Sequence, residues 1–288
     1  MNEHKIVSSG PNDRSVVTFA ELGHAYRPGT WIFQNYSASV SRGSVFALLG
    51  PNGCGKTTLL KILLGALRPA AGRVSANGRI GFVPQLFQVS FDYTVLNMVV
   101  MGRARHVGLF SQPSRQDESA ALEALDRFGL ADFALRPFHS LSGGQRQLVV
   151  FARALVAEAD ILVLDEPTSA LDLKNQELIL DWIARLPSQQ GLTVIFTTHH
   201  PHHALAVADQ ALLMLGEHGY VCGPAGEVLS EANLHRLYGV PLKRLSFEYN
   251  AQTVETFSPV FRPHRNGGAG SKQPVRLGRQ ANEGHATV

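Results

Sequence analysis

The stretch GPNGCGKTT, residues 50–58, lies between the apolar runs VFALL and LLKILL, and it restricts the possible fold more tightly than any other part of the chain. The spacing G-x-x-x-x-G-K-[ST], placed after a strand and before a helix, is one that cradles phosphate groups. Glycines let backbone N–H groups converge on phosphate oxygens without a Cβ in the way, and the helix adds the positive end of its dipole. On this pattern Gly50, Pro51, Asn52, Gly53, Cys54 and Gly55 supply the loop and Thr58 carries it into the helix. Lys56 would reach the β- and γ-phosphates and Thr57 would place its hydroxyl on Mg²⁺. A glycine-rich turn without a ligand is the plainer alternative, and the Lys-Thr pair weighs against it. Cys54 occupies a variable position and reads as a small spacer, with a redox or alkylation liability as the alternative.

The remaining sequence supplies the elements such a loop needs. From Ser15 to Leu49, runs such as SVVTFAEL and SVFALL are separated by Gly and Pro signals, which predicts strands and turns. Residues 86–140 change character: in DESAALEALDRFGL, Ala121, Leu122, Leu125 and Phe128 share a helical face, the mark of a helical insertion. A helix after Ser142, the run ILVL at 161–164, a helix through QELILDWIARL and the run LTVIF at 192–196 follow in alternation. That order predicts an α/β fold with a parallel sheet covered on both faces. Past Arg244 the pattern fades, so 245–288 reads as an extension, disordered from about 262, and residues 1–14 as a loose N-terminus.

The segment ILVLDE, 161–166, has the form of a buried strand ending in two carboxylates. Consecutive strand residues point to opposite sides, so the two can do different work. Asp165 is suited to holding Mg²⁺, and Glu166 to polarising an attacking water as general base. A strand ending in acids is common by itself and becomes informative with the phosphate loop upstream.

Further stretches complete a set. LSGGQ at 141–145, PTSALD at 167–172, Gln85 within GFVPQ, His199 at the end of LTVIFTTH and Tyr26 follow in a fixed order over about residues 15–243. Together with the loop and the carboxylates they resemble the nucleotide-binding subunits of ATP-binding cassette (ABC) transporters. The resemblance implies a P-loop NTPase core with an N-terminal antiparallel β subdomain and a helical subdomain of about 86–155, within a cassette of about 15–244. It implies ATP and Mg²⁺ as cofactors, Gln85 as a ligand beside the metal and in catalysis, and Tyr26 stacking on adenine. It also implies that Ser142, Gly143 and Gly144 close over the γ-phosphate held by a second copy of the chain, with Gln145 and Asp172 among the nucleotide-binding residues. A bottom-up reason supports that last point: a Ser at a helix start followed by two glycines makes an anion-binding end, and one chain already has its own phosphate loop.

The longest apolar stretch, 148–164, contains Arg153, Glu158 and Asp160, which argues against a membrane span. Transport therefore requires separate integral membrane permease subunits, with a solute-binding protein engaged indirectly. In the family a permease helix docks between Gln85 and the helical insertion, about Phe87 to Gly102 here. The formal charge of +3 resides in the tail: residues 262–288 hold five Arg/Lys against one acid, Glu283, leaving the rest near neutral. No nucleic-acid partner is expected. Two cysteines make no disulfide framework, and MNEHKIVSSGPNDR contains no apolar signal segment, so the expected place is the cytoplasmic face of the inner membrane, peripherally bound. The stretches VVMGRARHVGLFSQPSRQD (99–117) and NLHRLYGVPLKR (233–244) resemble importer ATPases for iron-siderophore, haem, cobalamin and some molybdate-type systems. Iron-siderophore uptake is the first expectation, the other cargoes and a non-transport cassette ATPase being the alternatives.

FTTHHPHHAL at 196–205 holds four of the twelve histidines. Pro201 suits the first position of a helix, which leaves His199 at a strand end beside the carboxylates, as a γ-phosphate sensor. His202 and His203 would fall in a first helical turn, where the dipole disfavours protonation. A metal site would prefer two histidines at i and i+4 on one helix, and the proline breaks that register.

Overall fold

The structure, a computed structural model, describes residues 15–85, 92–107, 111–169, 171–216 and 219–261. The expectations for 1–14 and for the basic tail from 262 lie outside these residues. Two long strands, β1 (Ser15–Arg27) and β2 (Thr30–Ser41), pair antiparallel, and β3 (Val45–Leu49) leads through the glycine-rich loop into α1 (Lys56–Leu63). β4 (Ala71–Ala76) returns to β1 and completes an antiparallel sheet in the order β2-β1-β4. β5 (Ile80–Val83) precedes α2 (Val95–Val100), α3 (Arg115–Asp126) and α4 (Gly143–Leu155). Then come β6 (Ile161–Leu164), α5 (Leu173–Gln190), β7 (Thr193–Thr198), α6 (Pro201–Val207), β8 (Gln210–Met214) and β9 (Tyr220–Pro224). α7 (Ala225–Val228), α8 (Glu231–Tyr238) and a hairpin of β10 (Leu242–Tyr249) and β11 (Gln252–Pro259) end the described chain.

A six-stranded sheet in the order β5-β6-β7-β3-β8-β9 forms the centre, parallel except for β9. Both faces are covered, and the two-residue period of a strand divides the core accordingly. In β3, Val45, Ala47 and Leu49 pack with the helices α2 to α6, whereas Phe46 and Leu48 pack with α1 and the antiparallel sheet. β6 divides in the same way, Leu162 and Leu164 on one side and Ile161 and Val163 on the other. Because β7 lies between β6 and β3, the loops leaving all three converge at one edge, where ligands of parallel α/β sheets bind.

Two expectations change in detail. On α3 the buried face is Ala121, Ala124 and Leu125, continued by Phe128, while Leu122 is 40% exposed. Ala124 completes an i, i+3, i+4 stripe that Leu122 lies outside. The boundary read after Arg244 cuts through β10, since the hairpin pairs residue by residue from Leu242↔Pro259 to Tyr249↔Gln252. Its two-residue turn, Asn250 and Ala251, has φ of 49° and 58°, the left-handed pair of a type I′ turn. The alternation of LKRLSFEY and QTVETFSP was available as a signal, but Ala in place of Gly at the turn concealed it. Phe257 on β11 is buried in the helix-side core, so the hairpin is packed onto the body.

Candidate active site

Gly55 ends the phosphate loop as the N-cap of α1 with φ 105°, a conformation that favours glycine, and a Cβ there would press on Ile32 and Phe33. No side chain caps this helix, so its first-turn N–H groups remain directed at the loop concavity. Lys56 is buried, and its Nζ donates to the carbonyls of Gly50 (2.7 Å) and Pro51 (3.2 Å). Pro51, Asn52 and Gly53 are exposed. Burial raises the Cys54 thiol pKa, with the Lys56 charge opposing, and its Sγ lies 4.0 Å from Met214 Sδ. A protonated, packed thiol favours the spacer reading. Tyr26 hydrogen-bonds Thr58 (between Oη and Oγ1, 3.1 Å), its ring packs edge-on with His24, and the residue is 62% exposed.

The carboxylates after β6 meet this loop. Thr57 Oγ1 donates to Asp165 Oδ2 at 3.1 Å, and Glu166 is the hub of a cationic and polar set. Its Oε1 lies 3.1 Å from Lys56 Nζ, while its Oε2 accepts from Gln85 Nε2 at 3.2 Å and faces His199 Nδ1 at 3.2 Å. Six residues from four distant parts of the chain (Lys56, Thr57, Gln85, Asp165, Glu166 and His199) thus share one edge of the sheet. Thr57, Asp165 and the amide oxygen of Gln85 make a hard, all-oxygen donor set, which suits Mg²⁺ completed by phosphate and water.

Ser142, Gly143, Gly144 and Gln145 form the start of α4. Ser142 Oγ accepts from Gln145 N (3.2 Å) and Gln145 Oε1 accepts from Ser142 N (3.0 Å), a capping box. Asp172 is the N-cap of α5, its side chain accepting from Asn175 N at 2.9 Å. Among the described residues no hydrogen bond or ion pair joins these groups to the phosphate loop. Ser142 and Gly143 are exposed, and the space beyond Gly143 is open.

Pro201 is the first residue of α6, with His200 as its N-cap. The four histidine rings pack on one another, with centroids 4.0 Å apart for His199–His200 and 4.4 Å for His202–His203. His203 is buried and bonded to Thr168 Oγ1 at 3.2 Å, and its pKa is pushed down to about 3, first by burial and then by the neighbouring histidines. The direction agrees with a dipole argument, but desolvation is the larger cause. Among the described residues no group of three or more His, Cys, Asp and Glu is arranged to hold a metal ion.

Two residues at the site escaped the motif reading. Thr197, fully buried on β7, donates to Asp165 Oδ1 (2.7 Å) and accepts from Glu166 N (2.8 Å). Tyr238, at the end of α8, donates to the His199 carbonyl at 2.9 Å. A hydroxyl at the end of an apolar strand was the one sequence signal for Thr197; Tyr238 lies 39 residues from its partner and carried none.

Residues 33–169 match the ABC transporter family profile. The chain is 43% identical over 242 residues to the molybdate import ATP-binding protein MolC of Haemophilus influenzae, covering 84% of this chain and 94% of that protein. Among solved structures, a chain of an inward-facing transporter of metal-chelate type is 40% identical, with a TM-score of 0.81 over 86% of this chain and 98% of its own. A dimeric ATP-binding cassette in a post-hydrolysis state with ADP and Pi is 27% identical, with a TM-score of 0.64 over 73% of this chain and 98% of its own. No described helix is long and apolar enough to cross a membrane. The chain belongs to the ATP-binding subunits of ABC transporters, and it is an ATPase of that family.

Proposed function

We propose that two copies of this subunit associate head-to-tail, hydrolyse ATP in two composite sites and power an importer for a metal-containing cargo. The observation that carries the reading is Glu166, held within 3.2 Å of Lys56, Gln85 and His199 at the edge where the phosphate loop opens. Lys56 and the first-turn N–H groups of α1 hold the phosphates, Glu166 orients and deprotonates the attacking water, and His199 contacts the γ-phosphate and senses its loss. Mg²⁺, held by Thr57, Asp165 and Gln85, supplies neutralisation of phosphate charge. Tyr26 stacks on the base. Ser142, Gly143, Gly144 and Gln145 with Asp172 serve the partner's nucleotide. In support, Ser142 and Gly143 are exposed, and among the described residues no hydrogen bond takes up the Ser142 hydroxyl proton.

The permease docks on the helical side, where Tyr93, Asn97, Val100, Met101, Ala104 and Val107 line an open cavity of about 490 Å³. The part of the expected docking stretch at 87–91 lies outside the described residues. A subunit docked there sits on the cytoplasmic face of the membrane. For cargo, molybdate is the first candidate and iron-siderophore the alternative, because the relative named for molybdate is 43% identical over 84% of this chain.

The test is affinity purification from membranes together with uptake in cells lacking the subunit. Co-purification of a multi-span membrane protein and loss of molybdate uptake support the reading. Loss of ferric-chelate uptake alone reassigns the cargo; absence of any membrane partner overturns the transport role.

A further inference from the structure

Thr197 lies on the strand beside the two carboxylates, and its single hydroxyl is committed twice. The parallel register pairs Leu164 with Phe196, so the next residues, Asp165 and Thr197, are neighbours across the ladder. The Thr197 proton goes to Asp165 Oδ1 at 2.7 Å, and its oxygen accepts the Glu166 N–H at 2.8 Å. Neither role can be taken over by water, because Thr197 is wholly buried.

Each bond restricts a different group. With Oδ1 occupied by Thr197, Asp165 is turned so that Oδ2 faces Thr57 at 3.1 Å, the oxygen in position for a cation. Glu166 has φ 46°, a left-handed conformation that a non-glycine residue adopts at a cost and that persists only where the surroundings enforce it. The hydroxyl that receives its N–H is part of that enforcement, and the same turn directs the carboxylate at Lys56, Gln85 and His199.

We infer that Thr197 is a positioning residue for ATP hydrolysis, one hydroxyl setting both the metal-facing oxygen of Asp165 and the backbone turn that aims Glu166. The inference rests on the catalytic reading of Asp165 and Glu166 given above. It separates Thr197 from its neighbour Thr198, which is also buried but whose hydroxyl accepts from His200 N, away from both carboxylates.

The test compares the full-length wild-type chain with Thr197→Val, which keeps the shape and removes the hydroxyl, and Thr197→Ser, which restores it. Outer-sphere partners of this kind typically change activity or metal affinity by about 10- to 100-fold. Thr197→Val is expected to lower kcat about 10-fold or more with KM for ATP within about twofold, and to weaken Mn²⁺ binding to the ATP-loaded protein, read by calorimetry, by a similar factor. Metal-free binding of a fluorescent ATP analogue should stay as in wild type. Thr197→Ser should recover kcat and Mn²⁺ affinity. Wild-type kcat and Mn²⁺ affinity in a folded Thr197→Val chain would overturn the inference, as would a loss that Thr197→Ser fails to rescue while its melting curve matches wild type. Absence of Mg²⁺-dependent hydrolysis in the wild-type chain itself would count against the catalytic reading and leave the Thr197 geometry to be judged by Mn²⁺ affinity alone.

Discussion

Glu166 combines an unusual backbone with a crowded carboxylate, and the two belong together. A left-handed residue after a buried strand turns its side chain back toward the loop that holds Lys56, which an extended residue would point past. Glu166→Gln keeps the size while removing the carboxylate that the proposed function makes the general base. It is expected to bind ATP as wild type does, to lose turnover by at least about 100-fold, the usual scale for a general base, and to accumulate an ATP-dependent dimer on size exclusion. Turnover within a few-fold of wild type would remove Glu166 from that role. His203 offers a test of a different kind. Its folded-state pKa of about 3 lies below the ordinary value of 6.5, so the neutral form is the one that fits the fold. Stability from this group is complete above pH 6.5 and is lost as pH falls from there toward 3, because the unfolded chain binds the proton first. By pH 5 the loss should be on the order of 2 kcal/mol. His200 and His202 are shifted in the same direction by burial. Thermal melts of wild type and His203→Asn between pH 7 and 5 should show a shallower decline in the variant.

The elements explain which parts of this arrangement could be foreseen. Helix starts at Lys56, Gly143 and Pro201 follow local rules: a glycine cap, a Ser-x-x-Gln capping box and a proline in the first turn. The strands β3 and β6 are unbroken apolar runs, and β7 carries one at 194–196, because both faces of the sheet are buried. The C-terminal hairpin was not foreseen, since its exposed face carries Leu245, Phe247 and Tyr249 and its turn lacks glycine. Ala251 holds φ 58° there, where a Cβ is unfavourable by about 1 kcal/mol. Ala251→Gly should therefore stabilise the hairpin by about 0.5–1 kcal/mol, seen as greater amide protection in β10 and β11 by hydrogen exchange. Weaker protection in that variant would show that the turn is not limiting.

At the scale of the whole molecule, one edge of the sheet carries the phosphate loop, the carboxylates and His199, while the capping-box loop of α4 faces outward. On the head-to-tail arrangement proposed above, neither half of the composite site is closed within one chain. Activity should therefore depend on association, rising faster than linearly with protein concentration at low concentration. The sequence of residues 262–288 has no core periodicity, so truncation after Phe261 is expected to leave ATPase activity per subunit unchanged within about twofold. A large loss would assign residues 262–288 to the catalytic or dimerising machinery.

The sequence by itself determined the phosphate-binding chemistry, the pair of carboxylates, the alternation of strands and helices and the place of His199 at a strand end, because each is written in contiguous residues or in a short period. What only the tertiary structure decided is how those pieces touch. Thr197 reaches Asp165 and Glu166 across 32 and 31 residues of chain, through the register of β6 against β7. His203 is held neutral by burial against Thr168 and its fellow histidines, and Tyr238 reaches His199 from a helix beyond the sheet. Such contacts depend on which strands become neighbours and on what covers them, and packing makes that choice only when the chain closes on itself.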